Sequence, residues 1–121
     1  MSKTILICDD NGDARELLAM ALSARHYAVK VCPDRDNGIV LITHDKEIAC
    51  VILDYNMPGM SIKDFIQQAV ALNPNIAFVL ATATHDVKKR AEELGLKHFL
   101  EKPFDFEELY TRIEEALAEH R

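Results

Sequence analysis

The chain has 121 residues, with 14 lysines and arginines against 20 aspartates and glutamates and a formal net charge of −6. At this size one folded domain buries about two thirds of its unfolded surface, so its core needs no disulfide or metal. The acidic balance excludes a general affinity for nucleic acid or anionic lipid, because phosphate groups would be repelled. We expect one domain over residues 1–121 that binds neither nucleic acid directly nor membranes.

The first two strands and helices are predicted from apolar runs and their spacing. Residues 5–8 form an apolar run that stops at Asp9-Asp10, which predicts a strand buried on both faces. Asn11 or Asp13 can cap the helix that follows. Its predicted buried face comprises Ala14, Leu17, Leu18, Ala21 and Leu22. A second strand is predicted over residues 27–32 and a second helix over residues 34–43.

The second half of the chain repeats this alternation. Ile48–Leu53 is the most strand-like run, and a helix ending at Asn73-Pro74 comes after it. That helix is predicted to bury Ile62, Phe65, Ile66, Ala69, Val70 and Leu72. A fourth strand is predicted over residues 76–81 and a fifth over residues 97–100.

Two further helices complete the pattern. Asp86 can cap a short helix that buries Val87, Ala91 and Leu94, and Gly95 can end it. Asp105 and Glu108 form a possible capping box for the last helix. Its predicted buried stripe includes Leu109, Ile113, Ala116 and Leu117. Five strands alternating with five helices predict an α/β fold, a parallel sheet covered by helices on both sides.

Charged and hydroxyl side chains follow four of the five predicted strands. Asp9 and Asp10 follow the first, Asp54 the third, Thr82 the fourth and Lys102 the fifth. If these strands are neighbours, the side chains meet where ligands of such sheets bind. The clustered carboxylates would repel one another, and a hard divalent cation such as Mg²⁺ relieves that repulsion. Lys102 then suits a phosphoryl oxygen, with the Thr82 hydroxyl beside it.

Each of these residues alone has a structural explanation. Asp9 and Asp10 could cap the first helix, Asp54 could begin a turn, and Lys102-Pro103 could form one. The joint pattern favours function. Among the other polar residues, the five histidines are predicted to lie at the surface or its boundary: His26, His44, His85, His98 and His120. Cys8, Cys32 and Cys50 are predicted buried thiols of a cytoplasmic protein.

The strand-end residues resemble those of the receiver domains of bacterial two-component response regulators, of the chemotaxis-regulator type. The matching motifs are the acid pair Asp9-Asp10, the phospho-accepting Asp54 before Tyr55-Asn56-Met57-Pro58-Gly59, the switch pair Thr82-Ala83 and the run Lys102-Pro103-Phe104. The resemblance implies a flavodoxin-like (βα)5 fold, a doubly wound parallel five-stranded sheet in the order 2-1-3-4-5.

The resemblance also implies a phosphorelay chemistry. Asp54 would take a phosphoryl group from a phosphohistidine of a sensor histidine kinase or histidine phosphotransfer protein. Mg²⁺ would be held by Asp10, Asp54 and the backbone carbonyl of Asn56, with Asp9 acting mainly through water. Lys102 would contact the phosphoryl group. The chain would then be a signalling receiver that catalyses only its own phosphorylation and dephosphorylation.

A switch is implied as well. The Thr82 hydroxyl would move toward the phosphoryl group and the ring of Phe99 would turn inward. The face of the fourth helix, fifth strand and fifth helix would change shape for a downstream effector protein or domain, in a monomer or a phosphorylation-promoted dimer. Two departures from the family stand out: Ile62 replaces a glycine, and the span of residues 82–95 is about two residues short, which puts the fourth helix in question.

Three other functions fit this residue pattern less well. An aspartyl-phosphate hydrolase would use Asp9 as nucleophile, but the acid-x-acid order of that class is missing. A flavodoxin-like cofactor carrier needs a phosphate loop where Asp9-Asp10 would repel phosphate. A docking module that never uses phosphate would not need all five of the strand-end residues described above. The chain ends at Arg121 and is either a stand-alone receiver or a piece of a longer regulator.

Overall fold

The computed structural model describes residues 3–119. The strands are β1 (Thr4–Cys8), β2 (Ala28–Cys32), β3 (Ile48–Leu53), β4 (Ala77–Thr82) and β5 (His98–Glu101). The helices are α1 (Gly12–Ser23), α2 (Arg35–His44), α3 (Ile62–Leu72), α4 (Val87–Glu93) and α5 (Phe106–Glu119). All strand pairs are parallel and the order is β2-β1-β3-β4-β5. The predicted α/β fold and strand order are confirmed.

Side chains alternate between the two faces of the sheet, so one strand serves two cores. Ile5 and Ile7 of β1 pack in a core with α1 and α5, whereas Leu6 and Cys8 pack in a second core with α2 and α3. Leu80 of β4 packs against α4 in a smaller cluster. The central strands are therefore apolar on both faces, as their sequences indicated, and their carboxyl ends are held at one edge of the sheet.

The helix caps decide one alternative and correct one prediction. Asn11 is the N-cap of α1, because its side-chain oxygen accepts from the Ala14 amide at 3.0 Å; Asp13 lies inside the helix. Asp86 precedes α4 but makes no side-chain cap, since its φ of 57° places it in the left-handed region. Gly95 ends α4 as predicted, with φ of 74°. Asp105 accepts from the Glu108 amide at 2.8 Å at the start of α5.

Three burial predictions were wrong. Leu17 is 53% exposed and Val70 is 41% exposed, because each lies at the margin of its helix's apolar stripe, beside a surface groove. His98 was predicted at the surface or its boundary but is buried, with Nε2 at 2.9 Å from Glu119 Oε2. His120 lies outside the described residues.

Strand limits differ from the predictions by one residue. β2 begins at Ala28, and β4 and β5 each begin and end one residue later than predicted, because Thr82 pairs with Glu101 in the parallel ladder. The three cysteines are free and buried, as predicted. Within residues 3–119 no helix is both long and apolar enough to cross a membrane.

Candidate functional site

Backbone hydrogen bonds continue past the strand ends and fix the residues that follow. The Asp54 amide donates to the Cys8 carbonyl at 3.1 Å, which ties the end of β3 to the end of β1. The Lys102 amide donates to the Thr82 carbonyl at 3.0 Å, which ties β5 to β4 in the same way. The sheet thus brings together the residues predicted from four separate strand ends.

An acid cluster forms at this edge. Asp9, Asp10 and Asp54 each offer a carboxylate oxygen, and these oxygens lie within 4.8 Å of one another. Asp9 is buried at 3% exposure, Asp54 is half-buried and Asp10 is exposed. A donor set of carboxylate oxygens with one side open to water suits a hard cation that retains water ligands. The residues present therefore fit Mg²⁺.

Two backbone amides orient the carboxylates of this cluster. Asp9 Oδ1 accepts from the Asn11 amide at 2.9 Å, and Asp54 Oδ1 accepts from the Asn56 amide at 3.2 Å. Each carboxylate keeps its second oxygen for other partners. In the part of the chain that the structure describes, Asp10 makes no hydrogen bond or ion pair, so its carboxylate is free to act as a ligand.

Lys102 supplies the positive charge of the site. Its Nζ lies 2.7 Å from Asp9 Oδ2 and 3.3 Å from Asp54 Oδ2. Burial alone lowers the pKa of Lys102, but the hydrogen bond to Asp9 and the charges of both aspartates outweigh it, so the pKa lies above its usual value. The ammonium therefore stays charged near neutral pH and bridges the nucleophile candidate to the buried acid.

Thr82 ends β4 with its side chain buried. Its Oγ1 accepts from the Thr84 amide at 3.2 Å and lies 3.0 Å from Thr84 Oγ1. Thr84 Oγ1 in turn accepts from Asn56 Nδ2. With Thr84 as the donor to Thr82, the hydroxyl hydrogen of Thr82 stays available to a new acceptor. Thr84 and the Asn56 side chain were not predicted from the sequence, because two-residue spacings in a loop carry no periodic signal.

Phe99 lies in β5, away from the carboxylates. Its ring is partly buried and packs against the small cluster formed by Leu80, Val87 and Ala91, with Tyr55 and Ile62 nearby. The predicted switch residue therefore touches the underside of α4. Phe99 and Thr82 lie on neighbouring strands, on which Leu80 pairs with Phe99 and Thr82 with Glu101.

Arg35 also contacts the site, although the sequence did not predict it. It is 2% exposed, and its guanidinium donates to backbone carbonyls of the loop between β3 and α3, residues 54–61. Burial is the largest influence on the pKa of Arg35 and lowers it. The one available signal was a cation in the first turn of α2, where the helix dipole disfavours positive charge.

Comparison with known proteins identifies the family. The model of the response regulator receiver domain matches residues 5–114. The chain is 36% identical over 116 residues to the "Probable chemotaxis protein CheY" of Rhizobium etli, a match that covers 91% of this chain and 88% of the relative. It is 32% identical over 119 residues to the "Response regulator MprA" of Mycolicibacterium vanbaalenii, covering 97% of this chain but 51% of that protein.

Other relatives and solved structures agree. The "Transcriptional regulatory protein HprR" of Escherichia coli K12 is 30% identical, with 96% of this chain and 52% of the relative covered. This chain thus spans about half the length of the HprR and MprA relatives. A CheY-like receiver domain from Methanospirillum hungatei JF-1 shares the fold with a TM-score of 0.87 at 21% identity, covering 99% of this chain and 97% of that one.

A second structure is the response regulator TrrA of Thermotoga maritima "in complex with Mg(2+)-BeF". It shares the fold with a TM-score of 0.83 at 24% identity, covering 95% of this chain and 99% of that one. Both structural likenesses show the fold alone, whereas the family model and the relatives in sequence show the family. On these grounds this chain belongs to the response regulator receiver domains of two-component systems.

Proposed function

We propose that this receiver domain accepts a phosphoryl group on Asp54 from a phosphohistidine of a sensor histidine kinase or histidine phosphotransfer protein. One observation carries the proposal: Lys102 Nζ contacts Asp54 and Asp9, which are two of the three clustered carboxylates. This arrangement partly neutralises the acid cluster with a single cation and leaves a carboxylate nucleophile next to that cation. The three buried free thiols are consistent with a cytoplasmic setting.

The chemistry follows from the orientation of Asp54. One carboxylate oxygen attacks the phosphorus in line with the phosphorus–nitrogen bond, and the electron pair of that bond leaves with the imidazole. The product is an acyl phosphate. The Asn56 amide and the Lys102 ammonium hold the carboxylate, so the reaction is mostly a matter of positioning and charge neutralisation.

Metal binding is part of the proposal. Asp10, Asp54 and the backbone carbonyl of Asn56 would hold Mg²⁺, with Asp9 acting mainly through water. When bound, Mg²⁺ neutralises charge on the phosphoryl oxygens. Lys102 then shifts from the carboxylate of Asp54 toward a phosphoryl oxygen, which its flexible stem permits.

The geometry favours Asp54 over Asp9 as the nucleophile. Asp9 is 4% exposed at the side chain, with one oxygen held by the Asn11 amide and the other by Lys102. Asp54 is more exposed, at 13% of its side chain, and its contact with Lys102 is the longer one, at 3.3 Å. A hydrolase mechanism through Asp9 would require breaking the shorter of the two Lys102 contacts.

An apolar recess beside Lys102 fits the approach of a protein donor. It has a volume of about 350 Å³ and is lined by Leu17, Leu18, Phe104 and Phe106 as well as Lys102. Leu17 and Phe106 are 53% and 41% exposed, so two large apolar side chains reach the surface together at this recess. Exposed apolar patches of this kind often mark interaction sites. Because Lys102 belongs both to this recess and to the acceptor site, the carrier of the phosphohistidine would pack there.

The output would pass through α4. A phosphoryl group on Asp54 gives the Thr82 hydroxyl a charged acceptor in place of Thr84. The helix has seven residues, too few to be stable alone, so its position depends on packing of Val87 and Ala91. Phe99 packs on the same cluster. Movement of Thr82 and Phe99 would therefore remodel the α4-β5-α5 face for a downstream effector protein or domain, or for a phosphorylation-promoted dimer.

Intact-mass spectrometry tests the proposal. After incubation with acetyl phosphate and Mg²⁺, the parent chain should gain the mass of one phosphoryl group and Asp54→Asn should gain none. Asp64→Asn, an exposed acid in α3, is the matched control and should be labelled like the parent. Equal labelling of Asp54→Asn and the parent would show that the phosphoryl group goes elsewhere.

A further inference from the structure

Arg35 binds the loop that carries the acceptor site through four backbone carbonyls. Its Nη2 donates to the carbonyls of Asp54 at 3.1 Å and Tyr55 at 2.7 Å. Its Nη1 donates to the carbonyls of Met60 at 2.8 Å and Met57 at 3.4 Å. One guanidinium therefore joins both ends of the loop of residues 54–61 to the start of α2.

The buried positive charge of Arg35 is bound by backbone carbonyls and not by a carboxylate. Among residues 3–119 no carboxylate lies within ion-pair distance of Arg35, although the side chain is almost fully buried. An unpaired buried cation is costly unless hydrogen bonds replace its water shell. Four carbonyl acceptors fill that role for Nη1 and Nη2, whereas the buried Nε has no hydrogen-bond partner among the described residues. A buried arginine used in this way fixes the direction of the carbonyls it binds, because its donors form a rigid planar fork.

The neighbouring residue of α2 holds the same loop. Asp36 Oδ2 accepts from the Met60 amide at 3.4 Å. Gly59 has a φ of 93°, and a Cβ at this position would lie 2.7 Å from Asp36 Oδ2, so the loop backbone lies close against α2. The two contacts together define the path of the chain between β3 and α3.

The loop includes the proposed metal ligand. Asn56 lies between Tyr55 and Met57, and the backbone carbonyls of both neighbours accept hydrogen bonds from the Arg35 guanidinium. Arg35 therefore holds the Tyr55–Asn56 and Met57–Pro58 peptide groups, and the peptide group that carries the Asn56 carbonyl lies between these two. Asp54 is fixed too, since its own carbonyl binds Arg35 while its carboxylate accepts from the Asn56 amide.

We propose that Arg35 is a positioning residue for the phosphoryl-acceptor site, which holds residues 54–60 so that the Asn56 carbonyl and the Asp54 carboxylate are preorganised for Mg²⁺. The inference rests on the proposed function and adds to it a residue from α2, the helix that packs beside α3. Removal of such an outer contact typically weakens metal binding about 10- to 100-fold.

Two substitutions separate geometry from charge. Arg35→Met keeps an apolar stem but removes all donors, whereas Arg35→Lys keeps the charge and loses the fork. Each protein is titrated with Mg²⁺ in the absence of a phosphodonor. Binding is measured from the amide chemical shifts of residues 54–60. We expect the Mg²⁺ dissociation constant to rise about tenfold or more in Arg35→Met and by less in Arg35→Lys. Amide hydrogen exchange at Asn56 and Met60 should accelerate in the same order.

Ile42→Val is the matched control. Ile42 is a buried residue of the same helix, and its truncation weakens the packing of α2 without touching the loop. It should leave the Mg²⁺ dissociation constant and the exchange at Asn56 unchanged. A merely structural role for Arg35 predicts that all three variants behave alike once their stability is matched.

The Mg²⁺ titration distinguishes failure of the positioning role of Arg35 from failure of the proposed function. If the parent binds Mg²⁺ and both Arg35 variants bind it within twofold of the parent or more tightly, the positioning role is wrong and the proposed function stands. If the parent itself binds no Mg²⁺, the proposed function is overturned and the positioning role with it. Should Arg35→Met not fold, Arg35→Lys alone decides between these results.

Discussion

Lys102→Met tests whether one ammonium holds the acid cluster together. The substitution leaves Asp9, whose side chain is 4% exposed, with only the Asn11 amide, and it removes one partner of Asp54, which is 13% exposed. Loss of one partner from a buried pair costs about 3–5 kcal/mol. Because Lys102 is itself 24% exposed and water reaches the Asp10 side, we expect a loss nearer 2–3 kcal/mol.

The assay is urea unfolding with EDTA and again with Mg²⁺. Three carboxylates and one ammonium give the site a net charge of −2. Without the ammonium, the site of the variant has a more negative net charge, −3. The variant should therefore bind Mg²⁺ more tightly than the parent and regain more of its stability. At ten times its dissociation constant, Mg²⁺ adds about 1.4 kcal/mol to either protein. At any one fixed Mg²⁺ concentration the gain should be larger in the variant.

Lys97→Met is the control, because Lys97 is exposed and forms no ion pair with the cluster. It should change the free energy of unfolding by no more than about 0.5 kcal/mol. The reasoning is refuted if Lys102→Met unfolds at the parent's urea concentration in EDTA, or if Mg²⁺ stabilises it less than the parent.

Three other substitutions test separate parts of the account. Asp10→Asn should leave the free energy of unfolding within about 0.5 kcal/mol of the parent or raise it, because Asp10 is exposed and unbonded, yet it should weaken Mg²⁺ binding in titrations. Thr82→Ala should accept beryllofluoride at Asp54 but lose the chemical-shift changes at Phe99 and α4, which Thr82→Ser should keep. Burial raises the pKa of Cys50 to about 12 from 9.0, so the unfolded state loses this proton first and stability should fall as pH rises through that window. Cys50→Val should remove about 1.4 kcal/mol per pH unit of that fall, read from urea unfolding.

Each of these expectations has an opposite result. A marked loss of stability in Asp10→Asn would mean that its carboxylate has a structural partner. Unchanged shifts at Phe99 in Thr82→Ala would separate the hydroxyl from the switch. An equal slope against pH in Cys50→Val and the parent would show that the thiol is not the titrating group.

The sheet and its edge were predictable because both depend on local patterns. Continuous apolar runs indicated strands buried on two faces, and the residues that ended four of those strands formed the site. The order of strands came from the family resemblance, since apolar runs do not say which strands are neighbours. Helix faces were less certain: Leu17 and Val70 had the right spacing but lie beside surface grooves.

Arg35 and Thr84 could not be found from the sequence, for a physical reason. The carbonyls that Arg35 binds lie 19 to 25 residues further along the chain, and backbone acceptors carry no residue-specific signature. Thr84 acts through hydroxyl contacts that depend on the loop path after β4. Asp86 does not cap α4 because its backbone adopts a left-handed conformation. Aspartate tolerates that conformation, but its presence in a sequence does not predict it.

Reductive trapping of the acyl phosphate tests the central claim most directly. The chain is phosphorylated with acetyl phosphate and Mg²⁺, treated with borohydride to reduce the acyl phosphate to an alcohol, digested and sequenced by mass spectrometry. The account predicts homoserine at position 54 alone, and none when EDTA replaces Mg²⁺. Homoserine at position 9 or 10 with an unmodified Asp54 would contradict it.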